Sequence, residues 1–120
     1  MAKSIKDLQR KVAKFRDDRD WTQFHGPKDI AISIAIEAAE LMECFQWKSS
    51  ERLEEYLKSE KSKAINEEMA DILIYLLNLS DVLGVDILSV AYKKLDKNAQ
   101  KYPVEKARGN AKKYTELERM

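Results

Sequence analysis

The chain is short of almost everything that interrupts or cross-links a fold. Its 120 residues include one cysteine, two prolines and three glycines. The lone Cys44 excludes an internal disulfide, and with a single histidine it cannot complete a Cys/His zinc site. No run of about 18 apolar residues exists to span a bilayer. Met1-Ala-Lys-Ser lacks the apolar run of a signal peptide. Neither sign of charge dominates: 22 Lys and Arg against 21 Asp and Glu leave a net +1. Bulk charge therefore points neither to a nucleic-acid polymer nor to a membrane surface. The expectation from these absences is a soluble, cytoplasmic protein.

What is present favours helix. The composition is 44% hydrophobic and 36% charged, rich in Leu, Ile, Ala, Glu and Lys, which argues for an all-α chain too apolar to be disordered. The length suits a single domain, residues 1–120. Ser4 with Asp7 resembles a capping box, and Ile5, Leu8, Val12 and Phe15 follow at helical spacing, predicting a helix to about Asp18–Asp20. Trp21 to Pro27 reads as a loop, with Gly26-Pro27 as its turn signal. A second helix is expected from about Asp29 to Gln46, apolar around most of its circumference. A chain this short cannot surround such a helix alone, so an oligomer is expected. Ser50 can cap a short helix to about Lys58, and a long one should cover Lys61 to Leu83, closed by Gly84. Asp86 can cap a last helix from Ile87 to about Lys101, ahead of Pro103. Residues 104–120 read as an extended, basic and polar C-terminal tail.

The two most apolar helices carry an anomaly. Lysine and arginine are absent from Ile30 to Trp47 and again from Ala64 to Tyr92. Yet Ser33, Glu37 and Glu40 fall at i, i+4, i+7 on one helix, while Glu68, Asp71 and Tyr75 fall at i, i+3, i+7 on the other. A solvated face usually mixes signs, because like charges a turn apart repel. If the stripes face one another, the carboxylates of Glu37, Glu40, Glu68 and Asp71 converge, which is unstable without protons or cations. All-oxygen ligation suits Mg²⁺, with Mn²⁺ as substitute, and such ions commonly serve phosphate chemistry. A di-iron site would need histidines where Glu40 and Asp71 stand, and no EF-hand loop is present. Lys93, Lys94, Lys97, Asn98 and Lys101 offer an anion partner on the last helix, read alone as a solvated face. Trp21, Phe24, His25 and Trp47 are aromatics that can stack a base beside a phosphate site.

The segments RDWTQFHGPKDIAISIAIEAAELMECFQW, NEEMADILIYLLNLSDVLGVD and KLDKNAQKYPVEKARGNAKKYTEL together resemble the MazG-like all-α nucleoside triphosphate pyrophosphohydrolases. Within that family the likeness is greatest to the dCTP pyrophosphatase branch, and it extends over nearly the whole chain after Lys3. The resemblance implies a four-helix bundle, assembled as a dimer or a dimer-of-dimers tetramer with sites shared between subunits. It implies Mg²⁺-dependent cleavage between the α and β phosphorus, giving the monophosphate and pyrophosphate. Carried across, Glu37, Glu40, Glu68 and Asp71 are the metal ligands, and Glu37 or Glu40 orients the attacking water. Trp21, His25 and Trp47 fall where the family binds base and sugar, Tyr75 where a tyrosine reaches the substrate, and Lys94 and Asn98 where relatives bind phosphate. Glu43 and Glu67 lie one position off the stripes, with Glu43 the better placed to touch a second metal.

One departure bears on substrate. Some animal members of the branch carry a histidine on the first helix, and its counterpart here is Val12. The expected substrate is dCTP or a modified dCTP, in a role in nucleotide-pool control. Another (d)NTP or a damaged nucleotide is the alternative within the same chemistry. A helical interaction module, with acidic stripes that only bind a partner, is the alternative outside it.

Overall fold

The computed structural model describes residues 3–120, and every regular element among them is helical. The helices are α1 (Ile5–Asp18), α2 (Pro27–Phe45), α3 (Ser50–Lys58), α4 (Lys63–Leu83), α5 (Ile87–Lys101), α6 (Val104–Ala107) and α7 (Tyr114–Leu117). Short 3₁₀ turns at Thr22–Phe24 and Glu60–Ser62 precede α2 and α4. The chain divides into two compact units, Met1–Val85 and Asp86–Met120.

In the first unit, local chemistry sets the ends of the elements. Ser4 Oγ accepts the Asp7 N–H at 3.0 Å, an N-cap that contributes about 1 kcal/mol. At the other end of α1, Asp20 takes the left-handed conformation (φ 54°). Asp20 N–H donates to Asp17 O, and Trp21 N–H to Arg16 O, both at 3.1 Å. That is the Schellman closure, built here on an aspartate, and it fixes where the chain leaves toward Trp21. Gly84 ends α4 in the same way (φ 67°), with Val85 N–H bonded to Ser80 O at 2.8 Å. Pro27 starts α2 at a position where its missing N–H costs nothing. The cap of α3 is Ser49, whose side chain accepts from Arg52 N–H, and not Ser50, which is the first helical residue.

α4 is the spine of this unit. α2 packs along it more extensively than any other element, and α1 packs against it next. Ile30, Ile65 and Leu77 are buried. Gln9 of α1 ties to α4 by donating to Ser80 Oγ at 2.8 Å. Much of the apolar surface of α2 and α4 stays open, including Ile32, Ile36, Met42, Met69, Leu73 and Leu76. The two helices are therefore more apolar than the single chain can cover.

In the second unit, Asp86 caps α5 by accepting the Ser89 N–H at 3.2 Å. The segment after Pro103 is not extended as expected: it folds into the one-turn helices α6 and α7. Aromatic contact accounts for the order, because Tyr102 and Tyr114 stack edge-to-face at 6.3 Å and Lys101 Nζ lies 4.7 Å over the Tyr114 ring. Leu117 is buried.

Candidate active site

The packing of α2 on α4 turns the two acidic stripes toward each other. One carboxylate oxygen from each of Glu37, Glu40 and Glu68 lies within 4.8 Å of the others. Oε2 of Glu37 and Oε2 of Glu68 are buried and have no hydrogen-bond partner. The ion pairs among the described residues run Lys11–Asp7, Lys14–Asp18, Arg16–Asp17, Arg16–Asp81 and Lys63–Glu60, and none touches this cluster. Ionised carboxylates offer each other only acceptors, so a cluster without a counter-charge must hold on to protons. Glu37 is accordingly pushed up to about 7, chiefly by sharing a proton with Glu68, then by burial and by Glu40. Glu68 is raised as well: the contact with Glu37 pulls it down, but burial and the neighbouring Glu40 and Asp71 outweigh that.

An all-oxygen donor set with orphaned buried lone pairs is what a hard divalent cation requires. Glu37, Glu40 and Glu68 fit Mg²⁺ or Mn²⁺ on that ground. Asp71 stands outside this three-oxygen group. It is exposed, one turn along α4 from Glu68, and faces a cavity.

That cavity, about 250 Å³, is walled by Val12, Phe15 and Arg16 of α1, Trp21 and His25 of the following turn, and Asp71, Ile74, Tyr75 and Asn78 of α4. It is smaller than the roughly 300–1,000 Å³ of pockets that enclose a whole drug-sized ligand, so it suits one flat part of a nucleotide. Trp21 packs edge-on to Phe15 and tilted to His25, both with ring centroids 5.8 Å apart. The turn places Trp21 and His25 together because His25 N–H bonds back to Trp21 O at 3.1 Å. An aromatic wall thus adjoins the acidic face of α4 through Asp71.

Of the residues singled out from sequence, Trp21, His25, Tyr75, Asp71 and Val12 share this cavity, while Glu37, Glu40 and Glu68 share the acid cluster. Trp47 is in neither. It follows α2 in the left-handed conformation (φ 65°), with its side chain 87% exposed. Lys94 is exposed and Asn98 half-buried on α5 in the second unit. Ser33 turns its hydroxyl back to Asp29 O at 3.1 Å. Glu43 lies beside Met42 and Phe45 on an open apolar depression, and Glu67 is exposed.

Arg16 and Asn78 were not anticipated. Asn78 had a signal, for it continues the Glu68, Asp71, Tyr75 stripe three residues further within an otherwise apolar "LLNLS". Arg16 had none: it is an ordinary basic residue of an amphipathic helix until α1 docks on α4.

Residues 32–117 match the model of the MazG-like family. The dCTP pyrophosphatase 1 of Rattus norvegicus is 40% identical over 117 residues, covering 97% of this chain and 69% of that protein. The human dCTP pyrophosphatase 1 is 37% identical over 115 residues, covering 95% and 68%. Among solved structures, a pyrophosphatase from Archaeoglobus fulgidus superposes with a TM-score of 0.77 at 42% identity, covering 86% of this chain and 95% of that one.

Proposed function

This chain belongs to the MazG-like family, and from that membership we propose that it is a nucleoside triphosphate pyrophosphohydrolase of the dCTP diphosphatase type. The substrate in this reading is dCTP or a modified dCTP, and the products are the monophosphate and pyrophosphate. The observation that carries it is the carboxylate cluster of Glu37, Glu40 and Glu68, which none of the ion pairs among the described residues touches, next to an aromatic-walled cavity.

Glu37, Glu40 and Glu68, with Asp71 beside them, would hold a divalent cation, Mg²⁺ first and Mn²⁺ as substitute. When bound, it supplies neutralisation of the triphosphate charge and acidity for the attacking water. The chain's own residues do the rest. Trp21 takes the base against its face with His25 at the base edge, and Tyr75 contacts the sugar side of the same cavity. Glu37 or Glu40 orients the water and accepts its proton as oxygen bonds to the α-phosphorus. The bond from the α-phosphorus to the bridging oxygen breaks, and pyrophosphate leaves. Lys94 and Asn98 are proposed phosphate contacts, and Trp47 a proposed base contact.

The four-helix bundle and a homo-oligomer belong to the same reading. The open apolar faces around Ile32, Ile36, Leu73 and Leu76 suit a second copy of the chain. Light scattering across a concentration series tests it, and a monomer at every concentration would reject it.

The deciding experiment is pyrophosphate release from a panel of dNTPs and NTPs, 5-methyl-dCTP included, with and without Mg²⁺. Cation-dependent turnover highest on cytosine deoxynucleotides is expected. A second substrate reading has one specific support: Val12 lines the cavity where some animal relatives carry histidine, and valine cannot hydrogen-bond a base. Turnover highest on another nucleotide would favour it. No turnover on any nucleotide by folded protein would reject the enzyme.

A further inference from the structure

Behind His25 stands a buried polar pair that the acid cluster does not use. Arg16 is 8% exposed and Asn78 4%. Arg16 Nη1 donates to Asn78 Oδ1 and to Asp81 Oδ2, each at 2.9 Å, and Arg16 Nε donates to Asp17 Oδ1 at 2.9 Å. Thr22 Oγ1 donates to the same Asp17 oxygen at 2.9 Å, so the turn that carries His25 is tied to this guanidinium too. Asp17 is held below the usual carboxylate range by Arg16 and then by Thr22.

A guanidinium has only donors, so the amide oxygen of Asn78 must face Arg16. The amide nitrogen then faces His25, with Nδ2 2.9 Å from Nδ1. An amide NH₂ also only donates, which leaves Nδ1 of His25 as the acceptor. The ring hydrogen is therefore on Nε2. Each step removes one choice that the imidazole would otherwise have.

We propose that Arg16 and Asn78 are positioning residues that lock His25 in its Nε2–H tautomer, so that the cavity presents a fixed hydrogen-bond donor to the nucleotide base. The lock selects a base edge that carries an acceptor, a carbonyl oxygen or an unprotonated ring nitrogen, as on a pyrimidine. It rests on the pyrophosphohydrolase reading of the same site. Donors on this wall are few, which makes a fixed one matter: Val12, Phe15 and Ile74 offer no hydrogen bond, Asp71 when ionised only accepts, and besides His25 the aromatic donors are Trp21 Nε1–H and Tyr75 O–H. A free imidazole could present either a donor or an acceptor, and would discriminate poorly between base edges.

The chain has one histidine, so ¹⁵N NMR of the full-length protein reads this ring without ambiguity. In mildly alkaline buffer, Nδ1 is expected at the bare, pyridine-type position and Nε2 at the protonated, pyrrole-type one. Asn78→Asp keeps the shape and the Arg16 partner but puts an acceptor opposite Nδ1, so the hydrogen should move to Nδ1. With dCTP as the probe, KM should then rise by about tenfold, the equivalent of one lost hydrogen bond, with a smaller change in kcat. Should that variant fail to fold, Arg16→Gln carries the same measurement: an amide can donate or accept, so Asn78 is free to flip and a mixture of tautomers is expected. A wild-type spectrum with the hydrogen on Nδ1 would overturn the lock. A moved hydrogen with KM and kcat unchanged would overturn its role in selection. The spectrum needs no substrate, so failure of the lock and failure of the pyrophosphohydrolase reading are told apart. Wild-type protein that turns over no nucleotide rejects the latter, and with it base selection, whatever the tautomer.

Discussion

Two charged groups of opposite sign are built into the first unit, and they are treated in opposite ways. Arg16 is buried with its guanidinium held by three named partners, Asp17 through Nε and Asn78 and Asp81 through Nη1. Glu37 and Glu68 each bury one oxygen, Oε2, that no hydrogen-bond donor reaches. A buried charge is tolerated when it is paired, and is costly when it is not. The first group is therefore complete within the chain. The second is left to shared protons or to a cation from outside, and its all-oxygen donors suit a hard divalent one.

The hardest blow to this contrast is to remove one acid. Glu68→Ala should reduce pyrophosphate release by on the order of 10²–10³-fold, as loss of several kcal/mol of charge stabilisation requires. The same variant should fold at least as well as wild type without Mg²⁺, because it removes the repulsion among the acids and, beyond the proton shared with Glu37, no bond. A variant that unfolds would mean the carboxylate is structural after all.

The mirror experiment breaks the paired group. Arg16→Met leaves Asn78 and Asp81 without their donor and should destabilise the fold by about 3 kcal/mol, read from urea denaturation. If it costs less than Glu68→Ala does, the distinction between paired and unpaired charge fails.

Mg²⁺ should act on one group only. At a hundredfold excess over its Kd it should stabilise the wild type by about 2.7 kcal/mol, and Glu68→Ala should lose most of that thermal shift. Arg16→Lys, which leaves the acids alone, should keep it.

The smallest effect sharpens the contrast by pH. Glu37 is raised in the folded chain to about 7 from an ordinary value of 4.5, so between these limits the native state holds more protons than the unfolded one. Stability in EDTA should then be fullest below the ordinary value, fall as pH rises toward about 7, and level off above it. Urea midpoints across this window check the sign. Saturating Mg²⁺ should flatten or reverse the slope, because the cation takes the place of the proton. A rise of stability with pH in EDTA would contradict the shared proton.

How much of this could be read beforehand divides along the same line. Helix ends were legible because caps are local chemistry: Ser4, Gly84 and Asp86 stand where they were expected. Ser49 was missed in favour of Ser50 because two adjacent serines offer the same hydroxyl, and only the backbone angle decides which one caps. The tail was misread because its order comes from Tyr102 meeting Tyr114 twelve residues away, a contact that no local pattern announces.

The sequence by itself determined the helices and the acidic stripes, since a helix's period fixes which side chains share a face whatever the surroundings. Excluding every basic residue from both stripes was likewise a property of composition, and it made the cluster foreseeable. Tertiary structure alone decided that Glu37, Glu40 and Glu68 close on one point while Asp71 faces a cavity, because the rotation of α2 against α4 is set by packing. It alone turned Arg16 from a surface-type residue into the anchor of His25. That contact joins residues 62 positions apart, Arg16 and Asn78, and a pattern that repeats every few residues carries no information about it.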